Sequence, residues 1–171
     1  NSATTAALGI YHNSVNIEGT ATAGALATAA FHRGNNTTTA LTTTVDIKNN
    51  IFVNNRNGGT GKHYAIANGI NATASTTGWG VLASNYNILN AANSATVGFW
   101  TADQTFASWK TAANGDNNSY TASVVNWVNT AIGNLHTNML FANNVESHGT
   151  PLAAVNTDFD NDVRPGPVGS I

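Results

Sequence analysis

From Val45 to Asn55 apolar and polar residues alternate, break at Asn49-Asn50, and resume at Ile51-Phe52-Val53. Alternation at a period of two predicts a half-buried strand, and the asparagine pair predicts a tight corner. Asparagine suits a corner because it tolerates left-handed backbone angles and its amide can bond neighbouring backbone. The pattern recurs on both sides, as His12-Asn13-Ser14-Val15 and as Tyr86-Asn87-Ile88-Leu89. Asn13, Asn50 and Asn87 lie 37 residues apart each time, which marks them as structural corners. Strand, corner and strand at a fixed period predict an all-β solenoid whose turns stack on one another.

Around these corners, Gly9–Ile17 reads as a strand pair and Glu18-Gly19-Thr20 as a turn. Ala21–Phe31 is rich in alanine, which favours helix on propensity. Ala25–Phe31 is nevertheless expected to be a strand, since small inward residues suit a narrow solenoid. Asn35–Thr44 reads as a connection, and Arg56–Lys62 as a glycine-rich loop before a strand at His63–Ala67. Asn71–Thr77 reads as a polar loop, with Trp79–Ala83, Ile88–Asn90 and Val97–Trp100 continuing the strand pattern. Asp103 is a candidate N-cap for one helical turn reaching Trp109. After a loop at Asn114–Ser119, strands are expected within Val124–Ile132 and Asn138–Val145, and Asp158–Pro167 reads as a turn-rich, irregular close. No linker divides the chain, so residues 1–171 read as one domain or a fragment of a longer product.

Composition narrows the function. Charged residues make up 8% of the 171, against about 25% in typical soluble domains. Thr, Asn, Ala and Gly fill the surface instead, and such short side chains lose little entropy on ordering. A net charge of −2 gives no basic footprint for nucleic acid or for an anionic membrane surface. There is no cysteine, hence no thiol chemistry, and no apolar run long enough to span a bilayer. The polar start at Asn1, without a methionine, suggests a mature or excised piece.

Several segments then take on a collective meaning. These are His12-Asn13-Ser14-Val15, the run Ile47–Asn54, Gly61–Ile66, Asn85-Tyr86-Asn87, Trp109 followed by Asp116–Ser119, Asn134-Leu135-His136, Gly149–Leu152 and Asp158–Pro167. In this order they resemble the right-handed parallel β-helix modules of secreted and cell-surface Bacteroidetes proteins, within the pectate-lyase-like superfamily. At several positions where that family carries Asp or Glu, this chain carries Asn, Val or Ser. The resemblance implies a secreted or surface-attached protein whose function is structural, adhesive or polysaccharide-directed. Fold alone does not choose among these.

Candidate chemistry is sparse. Lyases and hydrolases need convergent charge, a base or cationic stabiliser together with a carboxylate. Lys48, Arg56, Lys62 and His63 form the best carbohydrate-binding cluster that the sequence offers, with Asp46 nearby and Glu18 one repeat away. A solvent-facing role for Lys48, Asp46 and Lys62 is the favoured reading, so no catalytic residue is assigned. Asp158, Asp160 and Asp162 alternate as calcium-loop ligands do, yet the glycine and glutamate such a loop requires are missing. The five histidines show no short metal-ligand spacing. Trp79, Trp100, Trp109 and Trp127 could stack on sugars but read better as core or end-cap residues. Ice binding fails because Thr42-Thr43-Thr44 has no threonine counterpart in Trp79-Gly80-Val81. The expectation is therefore a structural or adhesive extracellular module without cofactor or metal. Its partners would be further copies, arranged in a fibre, or neighbouring domains of its parent. Polysaccharide binding or degradation is the alternative.

Overall fold

A computed structural model describes residues 7–34, 43–70, 76–121, 124–138, 140–141, 145, 148–157 and 160–163. The described chain is mostly strand, with one α-helix among the described residues. The first set of strands is β1 (Ala7–Tyr11), β2 (Ser14–Ile17), β3 (Thr20–Ala21) and β4 (Thr28–Arg33). A second set repeats it as β5 (Thr44–Lys48), β6 (Ile51–Asn54), β7 (Asn57–Gly58) and β8 (His63–Asn68). The third is shorter, comprising β9 (Ser84–Asn85), β10 (Ile88–Ala91) and β11 (Gly98–Trp100). Then follow β12 (Ala102–Gln104), α1 (Phe106–Ala112), β13 (Trp127–Asn129) and β14 (Asn134–Thr137).

Corresponding strands of successive sets pair in parallel. The sheet orders are β1-β5-β9, β2-β6-β10, β3-β7 and β4-β8-β11, the last extended by β12 antiparallel to β11. Register follows the asparagine period: Ser14 opposes Ile51, which opposes Ile88, while Leu8 opposes Val45 and Thr20 opposes Asn57. At β4 the offset tightens, since Thr28 opposes His63. The segment 22–27 is longer than its counterpart 59–62, and that difference absorbs the shift.

Inward positions line up along the stack. Val15, Phe52 and Leu89 occupy one register column, Ile10 and Ile47 another, and Phe31 lies over Ile66. The Phe31 and Phe52 rings stack with centroids 5.6 Å apart. Trp79, Trp100 and Trp109 close the far end as three mutually edge-on rings, with centroids 5.3 to 6.0 Å apart. Edge-on contact sets the positive rim of one ring against the negative face of another. Trp79 and Trp109 are core residues, as their sequence context suggested.

Several expectations change. β5 alternates between covered and open positions as predicted, but β6 does not: Phe52 and Val53 point to opposite faces and each is 1% exposed. Sequence-distant chain joins the same sheet, with β14 packing against β2 and Tyr120 pairing in parallel with Ile88 beyond β10. The helix begins later than expected. Its N-cap is Thr105, whose hydroxyl accepts from Ser108 N–H at 3.2 Å, whereas Asp103 lies in β12. Trp79–Ala83 forms turns rather than a strand. The last strand falls at Asn134–Thr137, and the described residues of 138–145 are not strand. Ala25–Phe31 is extended rather than helical, but its strand starts at Thr28. Residues 35–42 of the predicted connection, 71–75 of the predicted loop, and Asp158 with residues 164–167 of the predicted close lie outside the described residues.

Candidate functional site

The corner asparagines are the most organised polar feature of the molecule. The left-handed backbone angle at each corner belongs to the preceding residue, namely His12 (φ 55°), Asn49 (φ 59°) and Tyr86 (φ 57°). That leaves Asn13, Asn50 and Asn87 extended enough to aim their amides along the stack. Asn13 donates its backbone N–H and its side-chain N–H to Asn50 Oδ1, both at 3.0 Å. Asn50 repeats this toward Asn87 Oδ1, at 2.9 and 3.0 Å. The side-chain nitrogens also reach backbone carbonyls, from Asn13 to Tyr11 and from Asn50 to Lys48 and Ile10. These partners fix which end of each amide is oxygen.

The ladder ends in a buried carboxylate. Asn87 N–H donates to Ser119 Oγ at 2.8 Å, and its amide nitrogen donates to Asp116 Oδ1 at 3.2 Å and to Ser84 Oγ at 3.0 Å. Ser119 donates its hydroxyl to Asp116 Oδ1, and the Trp109 indole N–H reaches Asp116 Oδ2 at 2.7 Å. Asp116 is fully buried, so these donors stand in for the water it has lost. Asn85 supports the same loop by accepting from Asn118 N–H at 2.8 Å. The loop at 114–119 looked like a plain turn in sequence. Its role was hidden because Ser119 follows Asn87 by 32 residues rather than 37.

The cationic candidates are divided between sheets. Lys48, on β5, pairs with Asp46 at 2.8 Å, and Asp46 also accepts the Tyr11 hydroxyl at 2.7 Å. This hydrogen bond, with burial and the charge of Asp46, raises the Tyr11 pKa. Lys62 precedes β8 and lies 3.7 Å from Asp103, which accepts the Tyr64 hydroxyl at 2.8 Å. His63 contacts Thr28 Oγ1 at 2.9 Å and the Gly58 carbonyl at 3.3 Å. Arg56 sits between β6 and β7, with its backbone N–H bonded to Asn54 Oδ1. Lys48 and Lys62 thus serve different acids on different sheets. Glu18 accepts from the Asn16 amide at 2.7 Å.

Lys48 and Asp46 border an open depression of about 470 Å³, shared with Val81, Leu82, Tyr86 and Asn118. Among the described residues no group of three or more His, Asp or Glu could hold a metal ion. Asp160 bonds His136 Nε2 at 2.9 Å and ties the closing segment to β14. No described helix is long and apolar enough to cross a membrane. The chain matches no family model, and no curated protein or solved structure matches it.

Proposed function

We propose that the strand sets are the turns of a right-handed parallel β-helix, and that this β-helix is a structural or adhesive module of an extracellular or cell-surface protein. The observation that carries the reading is the asparagine ladder, whose donors and acceptors are spent in holding one strand set to the next. Each amide hydrogen bond contributes about 1 kcal/mol, and an unmet buried partner costs more, so the ladder makes the stack stiff and its register unique. Acids and cations are likewise engaged internally, in Lys48–Asp46, Lys62–Asp103 and the Asp116 cluster. The sparse charge and the order of the family-like segments support a surface location. A propagating fibre would require two open ends, and the β12, α1 and Asp116 assembly closes one, which argues for a module within a larger structure.

Electron microscopy of the native parent material, with protease shaving of intact cells, tests this reading. Regular surface structures that lose the module on shaving support it. Material released only by cell lysis, as isolated compact particles, overturns it.

One observation favours a second reading, polysaccharide binding: the depression joins the Lys48–Asp46 pair to the Tyr86 ring and the Asn118 amide. Release of unsaturated sugars from uronate polymers, abolished by Lys48→Ala, would move the assignment to an enzyme.

A further inference from the structure

Three asparagines of the chain are followed by glycine, namely Asn57, Asn68 and Asn114. Such a pair can react with itself. The glycine backbone nitrogen attacks the side-chain carbonyl carbon of the asparagine, ammonia leaves, and a succinimide ring closes. Water then opens the ring at either carbonyl, giving aspartate or isoaspartate, in which the main chain runs through the former side chain. Glycine favours the step because it has no Cβ to obstruct the approach. The attack also requires a glycine N–H that is not already spent in a hydrogen bond, and an asparagine within reach of water.

The fold separates the three pairs. Gly69 donates its N–H to the Arg33 carbonyl at 3.0 Å, and Asn68 is fully buried. Gly115 donates its N–H to the Lys110 carbonyl at 3.2 Å and is itself buried, close against the Ser84 carbonyl. Each of these nitrogens must break a hydrogen bond before it can attack. Asn57 and Gly58, in contrast, are both exposed, and they form β7, which pairs with β3 alone. Asn57 donates its own N–H to the Gly19 carbonyl at 3.1 Å. Alternation along a parallel strand then turns the Gly58 N–H toward the opposite edge, which no strand covers among the described residues.

The Asn57 side chain is also held in a useful way. The Thr20 hydroxyl donates to Asn57 Oδ1 at 2.8 Å. This bond polarises the carbonyl under attack, and it strengthens as Oδ1 becomes an oxyanion in the tetrahedral intermediate. With Oδ1 against Thr20, the amide nitrogen that must leave is the end turned to water. Packing explains why a glycine follows. Gly58 has φ +76°, and a Cβ there would run into the Ala21 carbonyl oxygen and the Thr20 methyl group. Close pairing of β3 with β7 therefore demands the residue that leaves Asn57 most open to attack.

We propose that Asn57-Gly58 is a self-modification site, at which the Gly58 nitrogen displaces ammonia from Asn57 while the Thr20 hydroxyl holds the oxyanion. A bond forms from the Gly58 nitrogen to Asn57 Cγ, and the bond from Cγ to Nδ2 breaks. The Gly58 amide proton departs with the ammonia, and one water completes the conversion without oxidant or reductant. An amide is exchanged for an ionised carboxylate, which takes the formal charge from −2 to −3. Isoaspartate also adds a carbon to the main chain, and so moves Gly58 out of register with Ala21. The site needs only the β3–β7 pair and stands apart from the structural role proposed above.

Peptide mapping of the full chain during mildly alkaline incubation, with enzymatic methylation of isoaspartyl carboxylates as the label, tests it. In the folded chain Asn57 should convert at least about tenfold faster than Asn68 and Asn114, and in urea the three should converge. Thr20→Val should slow conversion in the folded chain about fivefold, the kinetic worth of one hydrogen bond, and leave the rate in urea unchanged. Asn57→Gln should remove the label from this segment. Conversion at Asn68 or Asn114 ahead of Asn57 in the folded chain overturns the proposal, as does a folded chain in which Asn57 stays intact. A rate unchanged or raised in Thr20→Val overturns it as well, since the hydroxyl would then restrain Asn57 instead of assisting it.

Discussion

Asn87 Oδ1 receives both the backbone N–H and the side-chain N–H of Asn50, at 2.9 and 3.0 Å, and Asn50 Oδ1 receives the same pair from Asn13. One oxygen with two donors, repeated at each register step, makes the ladder directional. Donors face the C-terminal end of the stack and acceptors face the N-terminal end. Position along the ladder therefore sets the cost of losing a rung.

Asn50→Ala should destabilise the chain by about 3 kcal/mol, since it removes the acceptor of both Asn13 donors and the amide that serves Asn87 Oδ1 and the Ile10 and Lys48 carbonyls, leaving only the backbone N–H on Asn87. Asn13→Ala, at the exposed end, should cost about 1 kcal/mol or less. Urea unfolding of the two variants checks the order, and equal or inverted costs would remove the ladder from the account of stability.

Asp116→Ala leaves the Trp109 indole N–H and the Ser119 hydroxyl short of an acceptor, while the Asn87 amide keeps the Ile47 carbonyl and Ser84 Oγ. A loss of about 2–4 kcal/mol follows from two buried donors left without their shared partner. Trp109 emission should also move to longer wavelength as water enters its surroundings. Unchanged fluorescence together with unchanged stability would show that the cluster is dispensable.

Two nearby glycines should respond in opposite ways. Gly78 has φ +72°, and a Cβ there would lie 2.2 Å from the Thr43 carbonyl oxygen, a backbone atom that cannot step aside. Gly78→Ala should cost about 2–4 kcal/mol, combining left-handed strain with the clash. A Cβ on Gly80 meets nothing within 4 Å, so Gly80→Ala should stay within about 0.5 kcal/mol of the parent. Thermal melts of the pair provide the comparison.

Alkaline stability should depend on Tyr64. Burial first, then the hydrogen bond to Asp103, raises its folded pKa far above the usual tyrosine value. The unfolded chain, at about 10, loses this proton before the folded one does. The stabilisation is thus fully present below pH about 10 and falls as pH rises toward the folded pKa. Urea midpoints taken from pH about 8 to 11 should fall more shallowly in Tyr64→Phe than in the parent. Parallel curves would mean that Tyr64 ionises alike in both states.

The corners were legible because an inward residue, an outward residue and an asparagine recur at a spacing that stacking must preserve. The left-handed residue was not, because Tyr86 is not a type that favours positive φ and the eye falls on the asparagine after each of His12, Asn49 and Tyr86. Asp103 and Thr105 are both good caps, and only the antiparallel seating of β12 on β11, with Lys62 and Tyr64 beside Asp103, withdraws the first. Asp116 and Ser119 escaped notice for a related reason: the repeat contracts before it reaches them. Likewise, nothing in Ile51–Asn54 announces that Phe52 and Val53 are both buried, since a four-residue strand is too short to separate alternation from a continuous apolar run. The charge cluster dissolved because neighbours in sequence, Lys48 and Lys62, turn into different sheets.

The direction of the ladder also bears on how the chain is made. Synthesis runs from the N-terminus, so Asn13 and Asn50 leave the ribosome while Ser119 and Asp116 are still unmade. Each newly emerged rung accepts the donors of the one before it, and birth order coincides with stacking order. Asn87 is the exception, because its own donors wait for the Asp116 loop, the last piece of the ladder to be translated. Nascent chains should accordingly gain protease resistance in a final step, when Ser119 clears the exit tunnel and the latch at Trp109 and Asp116 can close.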